Sequence, residues 1–206
     1  MDREKVISRV ELDYGLDDFA ATVRRNRSYR RFDEGDPIGR DLMVCLVDLA
    51  RQTASAANLQ PLRYRLVADA TVRDEVFDCL GWAGYLPDWD GPEAGERPTG
   101  YIVMCCAGKV APLTWVDAGV AAQTILLGAC EAGFGGCIVR NFSDRLPEVL
   151  GIDPAVDEPL LAIALGAPRE TCVLEPLADA PDGIRYWRDA DGVHHVPKRP
   201  LEDVLI

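Results

Sequence analysis

The segment Arg27-Ser28-Tyr29-Arg30 holds the residue types best suited to gripping an anion. Two guanidinium groups separated by two residues, with a hydroxyl between them, offer forked N–H donors and an O–H of the kind a phosphate accepts. Basic residues concentrate there, at Arg24, Arg25, Arg27, Arg30 and Arg31, and again near the end at Lys198 and Arg199. The formal net charge is −12, from 34 acidic and 22 basic residues, so these clusters stand out and suggest a small anionic ligand rather than a nucleic-acid face. Charge complementarity within an acidic surface is the plainer reading of the same clusters.

The usual self-sufficient catalytic signatures are missing. No Gly-x-Gly-x-x-Gly opens a helix after a strand, since GFGGC follows a helix, and the nucleoside-triphosphate loop is also absent. There is no Gly-x-Ser-x-Gly elbow and no Cys-x-x-Cys pair. The two histidines, His194 and His195, are adjacent in a strand-like stretch and point to opposite faces, which is wrong for a shared metal. If the chain is an enzyme, the difficult chemistry belongs to a bound cofactor, and no catalytic side chain and no metal ligand is assigned.

The elements that must position these groups read as follows. The chain has 206 residues, 48% apolar and 27% charged, enough for one domain with its own core. Helical periodicity covers 16–25 and 40–52. The loop TASAANLQP (53–61), rich in small residues, can approach a flat ligand closely. A strand at 62–68 and a helix at 70–80 precede an aromatic, turn-rich stretch from Gly81 to Gly100, read as a lid or as a loop stapled to the core by its aromatics.

YIVMCCA (101–107) and LLAIALG (160–166) are continuous apolar runs, expected as strands covered on both faces. Thr114 and Asp117 suggest a capping box before a helix over 115–132, apolar enough to be buried nearly all round, at a domain centre or a subunit interface. A short helix is expected at 144–150, stopped by Gly151, and a hairpin at Asp191-Gly192. Leu201–Ile206 is too apolar to lie in solvent without a partner. Cys45, Cys105, Cys106 and Cys130 read as small core residues. The layers amount to an α/β or α+β domain with helices on both faces. The start of the chain has no signal core and no stretch reaches the roughly 20 apolar residues of a membrane span, so a cytoplasmic protein is expected.

RSYRRF, SAANLQP, DAGVAAQTILLGACEAGFGGC, LAIALGAP and a basic pair near the C-terminus, in that order, resemble the nitroreductase superfamily of flavoproteins. The resemblance covers about 24–61 and 101–169, and more weakly 195–200. It implies a single α+β domain over 1–206. This would be an α/β/α layered fold with a central, mostly antiparallel sheet and long central interface helices, an aromatic insertion at 81–100 and a C-terminal extension at 184–206.

It further implies a homodimer with FMN at the interface, taking hydride from NAD(P)H and passing it to a quinone, nitroaromatic or similar small acceptor, with no nucleic acid and no membrane as partner. Arg27, Ser28 and Arg30 would hold the phosphate and ribityl chain, completed by Lys198 or Arg199. Asn26 stands where the family has a basic residue. Arg30 would also favour the negatively charged reduced flavin. Ser55, Asn58 and Gln60 would lie against the partner's flavin, with Ala54 replacing the usual proline. Gly135 and Gly136 would pass the ring. Trp82, Tyr85 and Trp89 are candidates for the substrate wall. The alternatives are a dehalogenase, dehydrogenase or flavin-consuming relative, or a flavin-binding protein without turnover.

Overall fold

The computed structural model describes residues 15–206. Its centre is β5 (Asp157–Pro168), which pairs antiparallel with β3 (Gly100–Ala107) on one side and β4 (Gly135–Val139) on the other. β2 (Leu62–Val67) continues the sheet beyond β3, and the short β1 (Phe32–Asp33) pairs with the end of β5. Every pairing of named strands in this sheet is antiparallel.

The apolar runs have their expected cause. Along β3, Ile102, Met104 and Cys106 enter one core with α2 (Arg40–Arg51) and α4 (Pro112–Glu131). Tyr101, Val103 and Cys105 enter another with α3 (Ala70–Phe77), α5 (Leu146–Leu150) and Trp82. A strand with cores on both faces cannot alternate apolar and polar residues. The fold is the expected layered α+β domain.

α4 departs from two expectations. Its buried face is Thr114, Asp117, Ala118, Ala121, Ala122, Ile125, Leu126 and Ala129, whereas Leu113, Val116 and Val120 are exposed in the single chain. By length and composition α4 could cross a membrane, but its buried face packs in the sheet core as a core helix does. The cap also differs. Thr114 Oγ1 accepts from the Ala111 N–H at 3.1 Å, while Asp117 points to the 53–61 loop. Helical spacing alone does not say which way a carboxylate faces. Gly151 ends α5 at φ 61°, as expected. Cys45 is exposed rather than in the core, because it lies off the buried Met43–Leu46–Ala50 stripe of α2.

The C-terminal region forms a second sheet, β6 (Cys172–Pro176), β8 (His194–Lys198) and β7 (Trp187–Arg188). β6 runs parallel to β8, and β7 pairs antiparallel with it across the expected Asp191-Gly192 turn. Asp189 braces that turn by accepting from the Asp191 and Val193 N–H groups at 3.0 and 2.8 Å.

Candidate functional site

The chain leaves α1 (Asp17–Arg25) at Asn26 and runs extended beside β4, where the Tyr29 N–H donates to the Gly136 carbonyl at 3.1 Å. This path places Asn26, Arg27, Ser28 and Arg30 along one wall of a cleft of about 340 Å³. β8 supplies the opposite wall through His194, Val196 and Lys198, every second residue of the strand. Lys198 therefore faces the cleft; Arg199 is exposed and does not line it. Gln123 of α4, Ile138 of β4 and Tyr186 close the space. Two ends of the chain thus bring three cations to one hollow in an acidic protein.

These cations are held in place. Arg27 is half-buried, its Nη2 donates to the Val23 carbonyl at 2.6 Å, and its buried Nε has no partner among the described residues. Burial pulls its pKa down, against the opposing pull of Tyr29. Arg30 Nη1 donates to the Ser28 carbonyl at 3.1 Å and to His194 Nε2 at 3.3 Å, with the guanidinium 5.0 Å from the centre of the Tyr186 ring. Beneath them, the Glu170 carboxylate, 1% exposed, accepts from the Arg30 N–H, from the Arg31 N–H at 3.2 Å and from Arg188 Nη2 at 3.0 Å.

His194 is 1% exposed. Burial, then the adjacent Arg30 and Arg188 charges, lower its pKa to about 4, so the ring is neutral. A neutral imidazole that accepts at Nε2 carries its proton on Nδ1, and that buried Nδ1 has no partner among the described residues. His195 points the other way, as the sequence suggested. Its Nδ1 lies 2.7 Å from Glu175 and its Nε2 3.1 Å from Asp189, and its ring stacks on Trp187 at 4.9 Å. Among the described residues no group of His, Cys, Asp and Glu could hold a metal.

Arg30, Ile138 and Tyr186 also border a shelf of about 200 Å³, completed by Gly81, Trp82, Cys137, Arg140 and Asn141. Ile138 is 42% exposed in the middle of an otherwise buried strand, an apolar step between cleft and shelf. Of the aromatic candidates, only Trp82 lines the shelf. Tyr85 meets Tyr186 at a tilt with ring centres 5.0 Å apart, and Trp89 packs on the second core with Arg188 4.6 Å from its ring centre. The 81–100 insertion is thus fastened to the body, and Glu34 and the Arg31–Glu96 ion pair secure its far end. Those contacts are the aromatic staples expected of the loop.

Gly135 and Gly136 lie under the Arg27–Arg30 segment and do not line the cleft. A Cβ on Gly135 would stand 2.6 Å from the Tyr29 ring, and one on Gly136 would stand 2.4 Å from the Ala164 carbonyl oxygen. The Tyr29 and Pro168 rings at Gly135 and a backbone carbonyl at Gly136 leave no room for a Cβ, whatever lies beyond. Ser55 and Gln60 line a separate cleft of about 160 Å³ with Tyr64 and Asp117, and Asn58 is exposed beside it. Within one chain, these loop residues and the Arg27–Arg30 group do not share a pocket. The motifs did not reveal Ile138, Tyr186, His194 or Gln123; the alternation His194-x-Val196-x-Lys198 was the available signal for the histidine.

Residues 108–167 match the family model of the nitroreductase family. No curated protein matches the sequence. Among solved structures, a nitroreductase family protein from Clostridium novyi NT superposes with a TM-score of 0.59 at 20% identity, over 73% of this chain and 86% of that one. A protein from Exiguobacterium sibiricum 255-15, described as a nitroreductase in complex with FMN, gives 0.66 at 13% identity over 91% and 96%. One from Staphylococcus epidermidis ATCC 12228, described as an NAD(P)H:FMN oxidoreductase, gives 0.62 at 17% identity over 90% and 95%. The chain has the nitroreductase superfamily fold, and the resemblance read from its motifs is borne out by the family model and the structures together.

Proposed function

We propose that the chain is a cytoplasmic FMN-dependent oxidoreductase, working as a homodimer, that takes hydride from NAD(P)H and delivers it to a small electrophile such as a quinone or nitroaromatic. The observation that carries this reading is the cleft between Arg27–Arg30 and β8. It brings Arg27, Arg30 and Lys198 to one hollow beside the Ser28 hydroxyl and the Asn26 and Gln123 amides. Three cations and a hydroxyl around one hollow suit an anionic ligand, and a phosphate has the acceptors to meet their N–H and O–H groups.

The residues present fit FMN. Arg27, Ser28 and Lys198 would hold the phosphate, and Asn26 and Gln123 have amides suited to the ribityl hydroxyls. The exposed face of Ile138 offers an apolar seat for a flat ring. Bound there, FMN supplies the two-electron carrier that this chain's side chains lack. The shelf lined by Trp82, Arg140 and Tyr186 is the adjoining room for donor and acceptor in turn. No side chain is assigned proton transfer, since solvent reaches the shelf. The fold of an FMN complex and of an NAD(P)H:FMN oxidoreductase supports the same reading.

Titration with FMN, followed by quenching of its fluorescence, tests the site. Lys198→Ala should weaken binding about tenfold, the worth of one charge-assisted hydrogen bond, and should do so more than Arg199→Ala. Equal effects of the two substitutions contradict the assignment.

A further inference from the structure

The 53–61 loop has an unusual backbone. Ala57, Asn58 and Gln60 have φ of 50°, 55° and 49°, in the left-handed region that side chains with a Cβ avoid. Three such residues in four, none of them glycine, persist only where surrounding contacts impose the shape. The contacts converge on one carboxylate. Asp117 of α4 is 5% exposed. Its Oδ2 accepts from the Ser55 hydroxyl at 2.6 Å and its Oδ1 from the Ala56 N–H at 2.9 Å. The Ser55 Oγ in turn accepts from the Gln60 N–H at 3.0 Å, so the carboxylate ties both ends of the strained stretch. Among the described residues Asp117 has no Lys or Arg partner. A buried carboxylate without a counter-ion is costly unless hydrogen bonds hold it, and here those bonds all go to one loop.

We propose that Asp117 is a positioning residue that sets the shape in which the Ser55–Pro61 loop meets the flavin, and that Ser55 acts through Asp117 rather than by touching the cofactor. The inference rests on the FMN reading above. It changes the role expected for Ser55, whose proton and one lone pair are already engaged inside its own chain. The Gln60 Nε2 donates to the Asn58 carbonyl at 3.3 Å, which leaves the loop's exposed backbone, the Asn58 side chain and the Gln60 Oε1 to face a cofactor.

The experiment uses full-length protein with Asp117→Asn, Asp117→Ala and Ser55→Ala. It measures FMN affinity by fluorescence quenching, the midpoint potential of the bound flavin, and amide exchange over residues 53–60. Asp117→Asn should raise the FMN Kd about tenfold, shift the potential and speed exchange at Ala56 and Gln60. Ser55→Ala should do the same to a smaller extent, because the Ala56 N–H still meets Asp117. Faster exchange or a lower Tm with wild-type Kd and potential overturns the proposal, since Asp117 would then only hold the fold. If Asp117 variants do not fold, Ser55→Ala decides with the same readouts. Wild-type protein that binds no FMN defeats the FMN reading itself, a result distinct from a variant that binds as wild type does.

Discussion

His194 shows how a single side chain can be fixed in one charge state by its neighbours. Its buried ring faces Arg30 and Arg188, so protonation would place a third cation among two. The folded chain keeps the ring neutral down to about pH 4, whereas the unfolded chain takes up a proton near the ordinary value of 6.5. In that window the unfolded state binds more protons, so stability falls as pH drops through it. His195 behaves in the opposite sense. Burial lowers its pKa, but the hydrogen bonds its ring N–H groups donate to Glu175 and Asp189 outweigh burial and raise it, so its contribution is full below 6.5 and is lost as pH rises through the raised value. The acid limb above the carboxylate range is therefore His194's own. In His194→Gln, which keeps an acceptor for Arg30 but does not titrate, Tm should fall less between pH 6.5 and about pH 5 than in wild type. An unchanged slope contradicts this assignment.

At the scale of elements, legibility followed the kind of signal. β3 and β5 were readable because strands covered on both faces leave unbroken apolar runs, and Gly151 marked the end of α5 by its left-handed turn. The Arg27–Arg30 cluster, which the fold places along one cleft, was readable because its residues are local in sequence. Asp117 was misread because spacing fits a cap as well as a loop anchor, and only the fold shows its direction. Ile138, Tyr186 and His194 meet across segments far apart in sequence, and no local pattern encodes that meeting. The 81–100 insertion has no period to read, and its contacts with Glu34 and Arg31 are equally remote.

Gly135 and Gly136 drew attention for a ligand, yet their first constraint is packing of one element on another. Gly136→Ala forces a Cβ against a carbonyl oxygen that cannot swing aside. It should cost about 1–3 kcal/mol, lowering Tm by roughly 2–12 °C in calorimetry. Gly39→Ala, at a site with open space around it, should cost a small fraction of that. Equal effects would show that β4 can shift to make room.

At the scale of the whole molecule, the described residues present large apolar side chains on two helices and the tail. Leu113, Val116 and Val120 project from α4, Val44 and Leu49 from α2, and Leu201, Val204, Leu205 and Ile206 from the tail, each more than 40% exposed. Such patches mark interfaces. The proposed dimer would cover the helix faces and bring the Ser55 loop of one subunit to the Arg27–Lys198 cleft of the other, two features that the single chain keeps in separate pockets. Val120→Asp should shift the protein from dimer to monomer in sedimentation and weaken FMN binding at the same time. A monomeric wild type that binds FMN as tightly as any variant would rule out a shared site.

The most direct test of the central claim is an anaerobic titration of the full-length protein reconstituted with FMN. The account predicts a yellow protein with stoichiometric flavin. NADH or NADPH should bleach its visible band, and a quinone or nitroaromatic should restore it. A protein that stays colourless after incubation with FMN, or whose bound flavin neither nicotinamide reduces, would contradict it.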